Sequence, residues 1–248
     1  MSKVTFSIWR THSAGGEFQE YQTEITEGMV VLDAILQIQA EHANDLAVRW
    51  NCKAGKCGSC SAEINGHPRL MCMTRMSDMP IDKPITVQPM KAFPVIRDLV
   101  TDVSVNYRIK KKIKKFKPRQ PDAPDGTWRM DQADIDRVQE FRKCIECFLC
   151  QDVCHVLREH QLHEKFNGPR HMVYIAALEM HPLDVEDRRQ DLKTEGGIGL
   201  CNITKCCTTV CPENISITDN AIIPLKERVA DKFYDPLMKL FRIFKQEK

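Results

Sequence analysis

The chain has 248 residues, 36 Lys and Arg against 34 Asp and Glu, and a formal net charge of +2. That balance singles out neither a nucleic-acid nor an acidic partner. With 42% hydrophobic residues the chain can bury a core in one or two domains, and no run approaches the roughly 20 apolar residues that span a bilayer. The first residues, Met1 to Arg10, open a strand-like alternation rather than a signal peptide, which points to a cytosolic, reducing setting. Twelve cysteines there point to metal ligation before disulfides, and they fall in three groups of four, at 52 to 72, 144 to 154 and 201 to 211.

Residues 1–103 read as a small β-rich domain. Val4, Phe6 and Ile8 alternate at period two, and Glu17 to Ile25 repeats the strand signal after the Gly15-Gly16 turn. Apolar residues at 31, 32, 35, 36 and 38 predict a helix within Met29 to His42. Asn65-Gly66 predicts a hairpin turn, and Ile85 to Met90 a last strand. Mixed strands around one helix suggest a β-grasp arrangement. Between helix and hairpin lie Cys52, Cys57 and Cys60, a C-x4-C-x2-C spacing of the plant-type 2Fe-2S kind, with Cys72 delivered by the hairpin. Gly55 and Gly58 allow the positive φ that wraps backbone N–H groups round such a cluster. A structural zinc site is the alternative, although this spacing is unusual for zinc.

After a break at Phe93-Pro94, Ile96, Leu99, Val100, Val103 and Tyr107 recur at helical spacing, and the pattern continues through Ile109, Ile113 and Phe116. Early Asp98 and Asp102 with late lysines suit a helix dipole. Eight of the twelve residues from Arg108 to Arg119 are basic. The interleaved apolar residues make this an amphipathic helix: either a solvated face or a surface for anionic lipid or an acidic partner. A zinc-stabilised nucleic-acid module built on that face is the competing reading from another class; the preferred one involves no nucleic acid.

Residues 104–248 read as helical around two cysteine runs. The first, Cys144, Cys147, Cys150 and Cys154, has the C-x2-C-x2-C-x3-C ferredoxin spacing, whose last cysteine serves the other cluster of a two-cluster domain. The second places Cys201, Thr204, Cys207 and Cys211 on the same template. Exchanging the last cysteines gives Cys144, Cys147, Cys150 and Cys211 for a 4Fe-4S cluster. It leaves Cys154, Cys201 and Cys207 without a fourth thiolate, hence a 3Fe-4S cluster. Cys206, beside the gap, is either a rival fourth ligand or a small buried apolar residue. Pro212 suits the first position of a helix. Helices are expected over Met172 to Met180 and, interrupted by Pro224 and Pro236, over Ile222 to Phe244, with a stripe from Leu225, Val229 and Phe233 to Leu237, Leu240, Phe241 and Phe244. His155, His160, His163 and His171 read as surface or packing residues.

Those three cysteine groups, the non-cysteine at 204 and the segment Lys165 to Arg170 resemble the iron–sulfur subunit of the succinate dehydrogenase/fumarate reductase family across the chain. The resemblance implies an α+β chain: an N-terminal β-grasp 2Fe-2S ferredoxin domain, then an α-helical two-cluster ferredoxin domain. It implies electrons passing from FAD on a partner flavoprotein, through 2Fe-2S, 4Fe-4S and 3Fe-4S, to quinone at membrane-anchor subunits. The chain is then peripheral, at the cytoplasmic face of the inner membrane, and the substrate site lies on the flavoprotein. The same wire run in reverse is a quinol:fumarate reductase; a soluble thiol-linked flavoprotein reductase is a further alternative. The family often has Pro after the fourth cysteine of the first run, a Trp shortly beyond, and His after the first cysteine of the second run. Here His155 and Asn202 stand in the first and last of these places and the Trp is missing, so menaquinone or a displaced quinone site is expected.

Overall fold

The computed structural model describes residues 2–13 and 15–236. The outer half of the C-terminal stripe, Leu237 to Phe244, lies outside the described residues. Strands β1 (Ser2–His12) and β2 (Gly15–Ile25) pair antiparallel from Ser2↔Ile25 to His12↔Gly15. Helix α1 (Val31–Glu41) follows, its Asp33 carboxylate accepting the Val30 N–H at 3.2 Å, where acidic charge suits the helix N-terminus. Then come the β3 (Ser61–Ile64) and β4 (His67–Leu70) hairpin and β5 (Ile85–Gln88). The turn between β3 and β4 has positive φ at both Asn65 and Gly66, as a two-residue hairpin of this hand requires. The sheet order is β2-β1-β5-β3-β4, with β5 parallel to β1. Val4, Phe6, Ile8, Ile85 and Val87 share a buried core with Leu32, Ile35 and Ile38 of α1. A mixed sheet closed on one helix is the expected β-grasp.

The continuous helix expected from Ile96 to Phe116 is not formed. Residues Val95–Arg97 (β6) and Val100–Thr101 (β7) make a short hairpin. Asp98 sits at its turn with φ 46°, fully buried. Its carboxylate accepts the N–H groups of Thr11 and Ala47, each at 2.8 Å, and faces Arg10 Nε at 3.4 Å. Those distant donors outweigh helical spacing, because a buried carboxylate needs them. Helix α2 then covers only Ser104–Lys112. Beyond it the backbone bonds sideways: Arg119 N to Leu183 O at 2.8 Å, and Val185 N to Lys117 O at 3.0 Å. The buried Arg188 guanidinium donates to the carbonyls of Lys114 (2.8 Å) and Lys115 (2.7 Å). The basic stretch is partly neutralised inside the chain. Lys110 pairs with Glu146, Lys114 with Asp191 at 3.0 Å, and Arg119 with Asp122.

The rest is helical, and short-pieced where the cysteines lie. Helix α3 (Gln132–Gln139) runs into a 3-10 turn at Glu140–Lys143. Then follow α4 (Leu149–Asp152), α5 (His155–Arg158), α6 (Pro169–Glu179), α7 (Arg189–Lys193) and α8 (Cys206–Thr209). A π-helical turn at Ile217–Ile222 leads into α9 (Ile223–Phe233). Pro169 opens α6, where a missing N–H costs nothing. Pro212 opens no helix. It lies in a turn closed by Asn214 N to Cys211 O at 3.1 Å, and proline suits the second turn position equally well. Met172, Val173 and Ala176 of α6 form a second core with Phe141, Phe148, Phe166, Ile217 and Leu225. The two cores interlock: Met90, Ala92 and Phe93 belong to the second, while Cys147 and Leu149 reach into the first.

Candidate iron–sulfur sites

The loop between α1 and β3 carries Cys52, Cys57 and Cys60. Lys53, Gly55 and Gly58 are left-handed, with φ of 54°, 67° and 67°. This winding turns the N–H groups of Ala54 (3.4 Å) and Lys56 (3.3 Å) onto Cys52 Sγ, and that of Ser59 (3.5 Å) onto Cys57 Sγ. Donors aimed at a sulfur favour its thiolate, and they bring the Cys52 thiol down to about 6. Cys72, just after β4, meets Cys60, and Cys52 meets Cys57, so the four thiols form two facing pairs. Cys60 and Cys72 are buried, and burial pushes the Cys60 thiol up to about 12. A buried thiolate without a cation is costly; a bound iron reverses that balance.

In the second domain the last cysteine of each run lies with cysteines of the other run. Cys144, Cys147, Cys150 and Cys211 line one cavity, with Ile145, Phe148 and the buried Arg170 beside them. Burial pushes the Cys147 thiol up to about 12 and also raises that of Cys150, and the neighbouring cysteines add to it. Cys154, Cys201 and Cys207 line another cavity with Thr204 and Cys206. Soft sulfur donors grouped this way, with peptide N–H groups on Cys52, Cys57 and Cys211, fit iron–sulfur clusters. None of the twelve cysteines is in a disulfide. Among the described residues no three His, Cys, Asp or Glu side chains converge on a position for a single metal ion.

The two cysteine runs share a backbone. Glu146 and Phe148 flank Cys147 with φ of 56° and 63°; Ile203 and Lys205 flank Thr204 with φ of 62° and 64°. Thr204 therefore occupies the place of Cys147. Cys206 opens α8 as Leu149 opens α4, so its place is that of an apolar residue off the template. It is nevertheless half-buried, and its Sγ lies 2.8 Å from Thr204 Oγ1.

Several supporting residues carried no sequence signal. Glu146, between two cysteines, pairs with both Lys110 and Arg170. Buried Glu63 on β3 receives both Nη atoms of Arg158 on α5, tying the two domains. Beside it, Asp152 accepts Ala92 N at 3.0 Å, and burial raises its carboxyl to about 7. His171 is a packing residue, as expected: its ring nitrogens face the carbonyls of Asn106 (2.9 Å) and Asn167 (2.7 Å). Burial outweighs those carbonyls and pulls it down to about 4. His163 meets Ala92 O at 2.6 Å.

A β-grasp domain with one cysteine set, joined to a helical domain with two, defines an iron–sulfur electron-transfer protein. Residues 5–108 match the family described as a 2Fe-2S iron-sulfur cluster binding domain, and residues 140–215 match a 4Fe-4S dicluster domain. A fumarate reductase iron-sulfur subunit of Mycobacterium tuberculosis is 35% identical over 205 residues, covering 80% of each chain. A succinate dehydrogenase iron-sulfur subunit of Bacillus subtilis is 31% identical over 216 residues, covering 81% of each. A solved chain from the Mycobacterium smegmatis Sdh1 complex in the apo form is 60% identical with a TM-score of 0.90, covering 94% of this chain and 98% of that one. The chain belongs to the iron–sulfur subunits of the succinate dehydrogenase/fumarate reductase family.

Proposed function

We propose that this chain is the electron-transfer subunit of a membrane-bound succinate:quinone oxidoreductase. In this reading residues 1–103 hold a 2Fe-2S cluster on Cys52, Cys57, Cys60 and Cys72. Residues 104–248 hold a 4Fe-4S cluster on Cys144, Cys147, Cys150 and Cys211 and a 3Fe-4S cluster on Cys154, Cys201 and Cys207. The observation that carries the 3Fe-4S assignment is Thr204 in the backbone position of Cys147, in a cavity it shares with Cys154, Cys201 and Cys207. A neutral hydroxyl is a poor iron ligand beside thiolates.

The clusters supply one-electron redox centres whose potentials follow cluster type, charge, sulfur hydrogen bonds and exposure. The chain's part is to hold them in sequence, exclude water with two interlocked cores, and aim N–H donors at their ligands. The electrons come from FAD on a flavoprotein partner and leave to quinone, menaquinone favoured, beside the third site, where His155 and Asn202 line the cavity. Among the described residues no helix is long and apolar enough to cross a membrane. Anchor subunits hold the chain at the cytoplasmic face of the inner membrane in this proposal. The Mycobacterium tuberculosis relative supports a second reading, in which the same wire runs from quinol to fumarate.

The test is anaerobic iron and sulfide analysis with electron paramagnetic resonance of the purified complex. About nine iron per chain, a 3Fe-4S signal when oxidised and a 2Fe-2S signal when reduced are expected. Zinc without iron would overturn the proposal. Comparing succinate oxidation by quinone with fumarate reduction by quinol in the same preparation decides the direction.

A further inference from the structure

We infer that the direct contact between Gly58 and Cys147, held by Ser61, sets the gap between the first two redox centres and so the rate of electron transfer across the domain junction. This rests on the proposed function and adds to it the residues that place one centre against the next. Gly58 lies between Cys57 and Cys60, and Cys147 is itself a proposed ligand of the next cluster. The two ligand loops therefore touch with no side chain between them.

Four features define that contact. A Cβ built on Gly58 would lie 2.5 Å from Cys147 Cα, 2.8 Å from its Cβ and 3.0 Å from its N, all atoms of a buried residue. The Ser61 hydroxyl lies 2.9 Å from Gly58 O and 2.8 Å from Cys147 O, so its one proton is shared across the junction. At the rim, Lys56 Nζ reaches Glu213 Oε1 at 3.1 Å, joining the first cysteine loop to the residue two past Cys211. Cys147 and Leu149 belong to the β-grasp core, so the second loop is anchored in the first domain by burial as well.

The step is transfer of one electron; the first centre is oxidised as the second is reduced, and no bond forms or breaks. Tunnelling falls steeply with the gap between centres. A methyl group at position 58 must push the loops apart, because backbone cannot give way as a flexible side chain does. Gly126 provides the control. It lies in a turn outside the cysteine loops, closed by Gly126 N to Ala123 O at 3.1 Å, and its φ of 83° puts alanine under a comparable backbone strain. Its Cβ would meet no atom within 4 Å.

The experiment uses the complex purified through the full chain, with Gly58→Ala, Gly126→Ala and Ser61→Ala. Two quantities are read: relaxation of the reduced 2Fe-2S signal, which a neighbouring reduced cluster accelerates, and electron equilibration after a light-driven injection. The expected result is a several-fold loss of both in Gly58→Ala, a smaller loss in Ser61→Ala, and parental values in Gly126→Ala. Equal behaviour of Gly58→Ala and Gly126→Ala, with both clusters present at parental content, overturns the inference. If Gly58→Ala assembles no 2Fe-2S cluster, Ser61→Ala decides: a loss of coupling with intact clusters supports the inference, and parental coupling overturns it. A parent complex without iron–sulfur signals would instead remove the proposed function, and this inference with it.

Discussion

In both cysteine runs of the helical domain a left-handed residue precedes and follows the second template position: Glu146 and Phe148 around Cys147, Ile203 and Lys205 around Thr204. Left-handed backbone costs an L-residue about 1–2 kcal/mol, and a β-branched residue such as Ile203 is a genuine outlier there. Such strain persists only where the surroundings over-determine it. At the first loop a cysteine is presented between the strained residues; at the second the strain remains and a threonine stands in its place. Loop winding is therefore separate from the residue presented on it. In the proposed assignment the backbone shape carries the flanking cysteines round a cluster, and the residue at the second position decides how many metal atoms that cluster keeps.

The largest effect should come from removing Cys147, the counterpart of Thr204 in the first run. Cys147→Ser takes away a proposed 4Fe-4S ligand and a side chain buried against the β-grasp core. Loss of that cluster's signal and a lower melting temperature of the whole chain are expected. A fully populated 4Fe-4S signal would show that the two loops are not equivalent in the way their backbones indicate. Thr204→Cys is the reverse experiment. With its backbone already wound as at Cys147, it should raise iron from about nine to about ten per chain and replace the oxidised 3Fe-4S signal. An unchanged signal at full occupancy would break the comparison from the other side.

A smaller effect reads the support behind the first loop. His171 joins α6 to α2 and stands beside Gln151 of α4. With its folded pKa near 4 against an ordinary value of 6.5, the unfolded chain binds the extra proton between those values. Stability should therefore be full above about pH 6.5 and fall as pH drops towards 4, by up to about 3 kcal/mol, on the order of the linkage for such a shift. Denaturant melts of the parent and of His171→Asn across this range measure it; equal slopes would exclude His171 as the source. The smallest effect belongs to Cys206→Ser. Since Cys206 occupies the place of Leu149, iron per chain and the 3Fe-4S signal should not change. A drop in iron would make Cys206 a ligand.

Much of the site was legible. Spacing picked out the eleven cysteines proposed as ligands, because a cluster needs thiolates at short, fixed intervals along one loop. The off-template place of Cys206 followed from counting along that template, and α8 beginning at Cys206 agrees with it. The connector was less legible. Ile96, Leu99, Val100 and Val103 match a helical period, but Asp98 finds its hydrogen-bond donors at Thr11 and Ala47, and the chain turns there instead. Glu146, Glu63 and Arg158 had no signal either, since charged residues in a loop or strand look the same whether solvated or paired.

The sequence by itself determined the period-two strands of the sheet, the hairpin at Asn65-Gly66, the cysteine groups and the missing thiol at 204. All of these are local: they depend on backbone geometry within a few residues. Tertiary structure decided where the helix after residue 95 begins and ends, and how the loop at Gly58 lies against Cys147. It also decided which buried charges meet. Those outcomes depend on groups far apart in the chain finding donors, acceptors and close-packed neighbours, and a buried polar group takes whichever partner the fold brings to it.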